Sequence, residues 1–371
     1  MKIFIAIASV KLAYGGPAVS VAALARSLAR AGVETGLWCP DGSAPGIALA
    51  APEEPLRLLA GSLDEAIHDF GMPDAVHDNG IWWAHNHRIA RLAVRHALPR
   101  VVSLRGMLEP WARNHKRLRK SFAWRLYQSR DLRAAQVLHV TSEQERANLA
   151  AAMPGAALAE IGNGLAMPDE ASLAFAGKES GTGRRQALFL GRLHPVKGLP
   201  LLLRAWHEAV PQGWDLVIAG PDEAGHRQLL EAEIARLGLG STVSLVGPVT
   251  GEAKTRLLMA SQLFVLPSHS ESFGMVVGEA LAHGLPVLTT RNVPWPQLET
   301  LKCGWRTEGT AEAFAAALAE ATDCPDDVLA AMGRRGRQLV ADEFSWDTLT
   351  QRFIALYASL LPQPRGPIRS C

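Results

Sequence analysis

Short apolar runs alternate with longer Ala-, Leu- and Arg-rich stretches along this chain, and they do so in two successive series. The first series predicts strands at residues 3–7, 35–38, 75–77, 100–103 and 137–140. Apolar residues at helical spacing predict helices at 19–31 and 87–97, with Gly32 as the stop after the first. Residues 171–185, which contain Gly177, Gly181 and Gly183, interrupt the pattern and read as a linker. The second series predicts strands at 186–190, 215–219, 243–245, 263–266 and 286–289, with a helix at 199–210. A last helix at 346–361 has no strand after it, and the tail 362–371 is Pro-rich. Repeated strand–helix units imply parallel sheets covered on both faces. At 371 residues the chain exceeds a single comfortable core. The expected fold class is therefore α/β, with two doubly wound Rossmann-like domains facing an interdomain cleft. The domains fall at 1–170 and 186–345, and the helix in 346–371 packs back on the first.

The chain is 48% hydrophobic and 20% charged with a formal net charge of +2, which suits a globular protein and gives no global signal for nucleic acid. Cys39, Cys303, Cys324 and Cys371 form no CxxC pair, and no His cluster has metal spacing. No metal site and no disulfide framework are expected, and a reducing cytoplasm is the simplest setting. The run Met1-Lys2-Ile3-Phe4-Ile5-Ala6-Ile7-Ala8 is short and leads to a Gly-Gly-Pro turn, so it reads as a buried first strand and not a leader. No window holds the ~18 unbroken apolar residues of a spanning helix.

The chemistry concentrates after the strand at 263–266. The chain continues Pro267-Ser268-His269-Ser270-Glu271-Ser272-Phe273-Gly274-Met275-Val276-Val277-Gly278-Glu279-Ala280-Leu281. An open α/β sheet binds ligands beyond the carboxyl ends of its strands, which is where Glu271 falls. A helix starting near Gly274 points the N–H groups of Gly274, Met275 and Val276 outward, a setting for anions. Glu279 lies just over one turn into that helix. Taken alone, two such glutamates can equally be a cap and a solvated face. In a second loop, Gly191-Arg192-Leu193-His194-Pro195-Val196-Lys197-Gly198 follows a strand and places a guanidinium and an ammonium five residues apart. Cations there would stabilise negative charge that develops on a leaving diphosphate. Gly15-Gly16-Pro17 after the first strand allows close approach of backbone to a ligand, or is a plain tight turn. No GxGxxG follows the first strand, which disfavours a nicotinamide or flavin.

The Glu271-x7-Glu279 segment and its surround resemble the signature of glycosyltransferase family 4, retaining enzymes of the GT-B fold. The Gly191–Gly198 loop, Ile218-Ala219-Gly220-Pro221, Asn163-Gly164 and Gly15-Gly16-Pro17 extend the resemblance over nearly the whole chain, more strongly in the second half. The resemblance implies an acceptor-binding first domain and a second domain for a nucleotide sugar. It implies catalytic roles for Arg192, Lys197 and Glu271, the last at sugar hydroxyls. Glu279 would hold the ribose, and Phe273, Gly274, Met275 and Val276 would cradle sugar and phosphate. Gly15, Gly16, Asn79, Arg105 and Gly191 complete the donor-binding set. A donor of this kind is substrate, and no cofactor is required.

The first half departs from the pattern at one point. Many members of the family carry a His after the strand that corresponds to 101–103, beside the donor sugar. Here the run is Ser103-Leu104-Arg105-Gly106-Met107. Arg105 can contact sugar or phosphate, including an acceptor phosphate, or serve structure alone. Asn79, in His77-Asp78-Asn79-Gly80-Ile81-Trp82, can bind sugar or acceptor or simply belong to an Asn-Gly turn. No residue is assigned as a nucleophile. In the mechanism usually given for this fold, the leaving phosphate deprotonates the incoming hydroxyl on the same face.

Residues 111–127, from Trp111 through Lys116, Arg117, Lys120, Phe122 and Trp124 to Tyr127, are both basic and aromatic. A helix there can lie on an anionic membrane surface, which suits a lipid-linked acceptor, or pack its apolar side on the first domain. The reading that results is hexosyl transfer from a nucleotide sugar to a carbohydrate or lipid-linked acceptor in bacterial surface polysaccharide assembly. It would take place in the cytoplasm or at the inner face of the cytoplasmic membrane, without nucleic acid. A sugar-nucleotide epimerase of related fold and a non-catalytic sugar-nucleotide-binding subunit are the alternatives.

Overall fold

The computed structural model describes residues 1–11, 14–46, 55–108, 117–168, 183–223 and 225–362. The chain divides into two compact units. Unit 1 comprises Met1–Gly164 together with the segment from Trp346 onward, and unit 2 is Leu165–Ser345.

Unit 1 is built on a seven-stranded sheet. Its strands are β1 (Lys2–Ile7), β2 (Glu34–Trp38), β3 (Leu56–Leu59), β4 (Ala75–Asn79), β5 (Arg100–Ser103), β6 (Val137–Val140) and β7 (Leu158–Glu160), in the order β3-β2-β1-β4-β5-β6-β7. Every pairing is parallel. The period-2 rule explains how β1 is buried on both sides. Ile3, Ile5 and Ile7 join one core with Val21, Leu24 and Leu28 of the helix Gly16–Arg30. Phe4 and Ala6 join another with Leu63, Phe70 and Ile89. The first of these cores also takes Leu349, Phe353 and Tyr357 of the helix Trp346–Leu360. That last helix thus completes unit 1 although unit 2 precedes it in sequence.

Unit 2 repeats the scheme with six parallel strands. These are β8 (Arg185–Leu190), β9 (Trp214–Ala219), β10 (Val243–Gly247), β11 (Leu263–Leu266), β12 (Val287–Thr290) and β13 (Gly304–Thr307), ordered β10-β9-β8-β11-β12-β13. One continuous core surrounds them, with Trp206, Trp214, Trp295, Phe189, Phe264 and Phe314 among its largest members.

The ten predicted strands are all present, most within a residue or two of their expected bounds. Three further strands, β3, β7 and β13, are sheet edges. Edge strands are half-covered and so need little apolar sequence; β7 reads only Leu-Ala-Glu and β13 Gly-Trp-Arg-Thr. The expected stretch 171–185 lies outside the described residues up to 182, and β8 already begins at Arg185. The tail lies outside them from 363. No helix among the described residues is long and apolar enough to cross a membrane.

Candidate functional site

Both sheets reverse their winding between their first and fourth strands, at β1/β4 in unit 1 and at β8/β11 in unit 2. A doubly wound sheet opens a crevice at that point, beyond the carboxyl ends of the strands. The residues singled out from sequence collect at these two edges.

In unit 2, Gly191 and Arg192 follow β8 directly, and the Gly191 N–H donates to the Ala219 carbonyl at 3.0 Å. His194 caps the short turn Pro195–Lys197 by accepting from the Val196 N–H at 3.1 Å. Gly198 closes that turn at φ 68°, and a Cβ there would lie 2.1 Å from the Pro267 carbonyl oxygen. The His269 N–H donates to the Val196 carbonyl at 2.8 Å. The loop after β8 is therefore pressed onto the loop after β11, and only glycine permits that spacing. Lys197 meets Glu271 as a result: Nζ stands 2.5 Å from Oε1, with the two side chains 14% and 13% exposed. The Ser268 hydroxyl donates to the same Oε1 at 2.7 Å. Among the described residues no partner is recorded for Oε2 of Glu271. Arg192 pairs with Glu223 in a more exposed setting.

The helix after the Glu271 loop is Met275–Ala282, with Gly274 as its N-cap at φ 80°. Left-handed backbone at that point favours a residue without Cβ. Phe273 is buried against Trp295 and Phe344, with ring centroids 5.3 and 5.7 Å away, and its carbonyl accepts from Trp295 Nε1 at 2.6 Å. Phe273 is thus an anchor that holds the helix start, and its carbonyl is already engaged. Glu279 points its Oε2 to Lys254 Nζ at 2.7 Å and keeps about a quarter of its side chain exposed. Unit 2 therefore gathers three cations, Arg192, Lys197 and Lys254, each matched to a carboxylate.

Unit 1 is different. Gly15, at φ 84°, caps the helix that starts at Gly16. Asn79 ends β4 fully buried; its Nδ2 donates to the Ala6 and His77 carbonyls at 3.2 and 3.3 Å. That fixes its amide orientation and turns Oδ1 toward Arg105, which donates from Nη2 at 2.8 Å and Nε at 3.2 Å. Arg105 Nη1 donates to Asn163 Oδ1 at 2.6 Å and, more loosely, to Ser20 Oγ at 3.4 Å. Burial pulls the Arg105 guanidinium down to about 10 from its ordinary value, with Glu145 and Tyr357 opposing.

Behind Arg105 runs a buried hydrogen-bond chain. His139 Nε2 lies 2.8 Å from the Ile161 carbonyl and must donate to it, which leaves Nδ1 as acceptor. Ser103 therefore donates to His139 Nδ1 at 2.6 Å and accepts from His77 Nε2 at 2.7 Å. His77 Nδ1 then accepts from the Tyr357 hydroxyl at 2.6 Å. Both imidazoles are held neutral: burial drives His77 well down and His139 to about 3, with the Arg105 charge adding to each. The alternation of apolar residues predicts β4 only to 77, because His77, Asp78 and Asn79 are polar; pairing with β5 carries it to Asn79.

Sequence reasoning missed Lys254, Glu223, Ser268 and Tyr357. Ser268 sits inside the Glu271 segment and was within reach of inspection. The other three carry no local signal, since each acts on a residue at least 25 positions away. The basic aromatic segment is described from 117 onward, and residues 111–116 lie outside the described residues. It forms the helix Arg117–Ala123 and then a wide turn, Trp124–Gln128. Trp124 turns inward on Trp82, with centroids 6.1 Å apart, whereas Phe122 and Leu126 are exposed beside the exposed Arg119 and Arg125.

Comparison with known proteins bears on the family and the fold. Residues 173–339 match the model of "Glycosyl transferases group 1" and residues 15–164 that of "Glycosyl transferase 4-like domain". A D-inositol 3-phosphate glycosyltransferase of Streptomyces avermitilis is 31% identical over 194 residues, which is 49% of this chain and 41% of that relative. The match thus spans about two fifths of that relative's length. HepE of Anabaena, solved with UDP and glucose, superimposes with a TM-score of 0.74 at 20% identity over 97% of this chain and 100% of that one. WaaG, a glycosyltransferase involved in lipopolysaccharide biosynthesis, does so with a TM-score of 0.68 at 15% identity over 96% and 99%. At these identities the solved structures speak for the fold, which is GT-B.

Proposed function

Since the chain belongs to the group 1, family 4-type glycosyltransferases, we propose that it is a retaining enzyme that moves a hexose from a nucleoside-diphosphate sugar to a hydroxyl acceptor. The acceptor is a glycan or a lipid-linked sugar of bacterial surface polysaccharide. Unit 2 takes the donor and unit 1 the acceptor, in the cytoplasm at the inner membrane face.

The observation that carries this reading is the Lys197–Glu271 pair across the β8 and β11 ends. A mostly buried ion pair gains little net stability, because desolvation offsets the attraction. Its value is that both groups stand ready and water-shielded. Glu271 accepts from sugar hydroxyls through its unengaged Oε2. Lys197 and Arg192 stabilise the charge that gathers on the diphosphate as the glycosidic bond breaks, and Gly191 lets the backbone approach. The N–H groups of Gly274, Met275 and Val276 add main-chain donors at a helix start. Glu279 holds the ribose. Gly15, Gly16 and Arg105 of unit 1 also contact the substrate, and the buried Asn79 holds Arg105 in place. The departing phosphate oxygen removes the proton of the incoming hydroxyl on the same face, so no enzyme nucleophile is needed. The donor is consumed as substrate, and no cofactor takes part.

The surface of 117–128 supports the membrane part of the reading. Phe122 and Leu126 offer apolar contact, and Arg119 and Arg125 offer charge to anionic headgroups. Sedimentation with phosphatidylglycerol vesicles tests it: reversal of Arg119 and Arg125 to Glu should abolish binding, and unchanged binding removes the membrane role.

The donor reading is tested by a thermal-shift screen of UDP-, GDP- and ADP-sugars, followed by NMR of the product's anomeric configuration. One nucleotide series should raise the melting temperature, and Glu279→Ala should reduce that rise. An inverted product refutes retention. An isomerised donor without transfer points to an epimerase, and binding without turnover to a partner subunit.

A further inference from the structure

The surroundings of Arg105 are unlike those of the cations in unit 2. Arg192, Lys197 and Lys254 each face a carboxylate. Arg105 faces three neutral oxygens, from Asn79, Asn163 and Ser20. Among the described residues no carboxylate comes within ion-pair distance of it. The acid whose charge acts on it is Glu145, and Glu145 is already engaged: Oε1 accepts from the Gly106 N–H at 2.8 Å, and Oε2 from the Thr141 N–H and hydroxyl at 2.7 and 2.9 Å. His77 and His139 behind it are neutral. A guanidinium has five N–H donors. One Nη2 hydrogen has no recorded acceptor among the described residues, and the Ser20 contact at 3.4 Å is long enough to give way.

The backbone points the same way. Arg105 has φ 54° in the turn that follows β5, with Gly106 at φ 72°. A long side chain in left-handed backbone costs about 1–2 kcal/mol. Strain of this kind persists where the neighbours over-determine it. Here Asn79 from the end of β4, Ser20 from the first helix and Asn163 beyond β7 converge on the guanidinium of Arg105, a mostly buried residue that keeps part of its surface open beyond the carboxyl end of β5.

We propose that Arg105 receives an anionic group, a carboxylate or a phosphate, carried by the substrate that reaches unit 1. The anion takes the unengaged Nη2 hydrogen together with the Nη1 hydrogen now spent on Ser20, in the paired geometry that guanidinium favours. The Ser20 hydroxyl, bound only weakly to the Pro17 carbonyl at 3.4 Å, turns to donate to the same anion. The proposal rests on the transferase reading and narrows it: the enzyme selects a charged substrate over its neutral counterpart.

The test uses the full chain and substrates matched except for charge. UDP-glucose against UDP-glucuronate forms the donor arm. Glucose against glucose 6-phosphate, with UDP present, forms the acceptor arm. Calorimetric titration of wild type should favour the charged member of one arm by about tenfold or more, and the arm that responds identifies the source of the anion. Arg105→Gln should remove the preference, whereas Arg105→Lys, which keeps the charge without the fork, should keep part of it. UDP alone should bind wild type. If none of UDP, GDP and ADP binds wild type, the transferase reading fails; whichever binds takes the place of UDP in both arms. If one of them binds but neither arm prefers charge, or the preference survives in Arg105→Gln, the anion role is overturned. Should Arg105→Gln not fold, the wild-type comparison and Arg105→Lys decide the matter.

Discussion

Unit 1 and unit 2 share one winding order, yet they equip the same edge of the sheet with opposite chemistry. At the β8/β11 edge every cation has its acid: Lys197 with Glu271, Lys254 with Glu279, Arg192 with Glu223. At the carboxyl ends of β4 and β5, next to the β1/β4 switch point, one guanidinium stands among amide and hydroxyl oxygens, in front of two neutral imidazoles. Topology alone thus fixes where a ligand goes and leaves its charge requirements open. A matched pair can exchange partners with a polyhydroxylated, doubly charged donor. A lone cation waits for a single opposite charge.

The strongest way to break the comparison is at Lys197. Lys197→Ala removes a charge and leaves Glu271 mostly buried without its partner. The transfer rate at saturating donor should fall about 100- to 1000-fold, as for loss of one preorganised electrostatic contact. A fall below threefold in initial-rate assays would reduce the pair to a structural feature.

Acid should separate the units next most clearly. His139 and His85 are pushed to about 3 and about 4 and His77 well down, all by burial, from an ordinary 6.5. The unfolded chain binds protons at these positions first, so native stability is full above pH 6.5 and declines as pH falls toward the folded values. Asp78, raised to about 7 by burial, works in the opposite direction over part of that range. The histidines outnumber it, and a net loss of stability is expected for unit 1 by pH 4.5. Hydrogen exchange at pH 7.5 and 4.5 reads it: amides of β4, β5 and β6 should lose protection more than those of β8 and β11. Equal loss in both units would show that the imidazole chain does not set the acid limit.

Tyr357→Phe sharpens the same contrast on a smaller scale. It deletes the donor to His77 Nδ1 and leaves a buried acceptor unmatched, at a cost of about 1–3 kcal/mol. Denaturant unfolding should show the loss in unit 1 with nucleotide affinity of unit 2 retained. An unchanged midpoint would mean that water replaces the hydroxyl.

The smallest effect belongs to Glu223. Its pair with Arg192 is exposed and worth about 0–1 kcal/mol. Glu223→Gln frees Arg192, so UDP should bind up to about fivefold more tightly at low salt and indistinguishably at high salt. Weaker binding at low salt would mean that Glu223 positions Arg192 and does not compete for it.

The legibility of these features follows their range. Local apolar patterning reveals the interior strands of both sheets, because a strand buried on both faces has no choice but to be apolar. The edges β3, β7 and β13 stay hidden, whereas β10, also an edge, is legible from Val243 and Leu245. The Glu271–Glu279 segment and the Arg192–Lys197 loop are legible because strand, loop and helix start fall within one stretch of sequence. The partners Lys254 and Glu223 are not, for they arrive from other strand–loop–helix units. Arg105 is the intermediate case. Its departure from the family pattern is visible in sequence, but the absence of a facing carboxylate among the described residues emerges only when Asn79, Asn163 and Ser20 come together.

The helix Trp346–Leu360 has a consequence for biogenesis. Its Leu349, Phe353 and Tyr357 complete a core whose other members lie before residue 162. Translation delivers unit 2 as one uninterrupted segment, free to fold once it leaves the ribosome. Unit 1 has to wait, with one face of its sheet only partly covered and His77 lacking the Tyr357 hydroxyl, until the helix Trp346–Leu360 emerges. Domains of a nascent chain fold as units in order of emergence; here the half made first is finished last. A chain that stalls before residue 346 would hold a complete unit 2 and an unfinished unit 1, which makes the helix Trp346–Leu360 a checkpoint on unit 1.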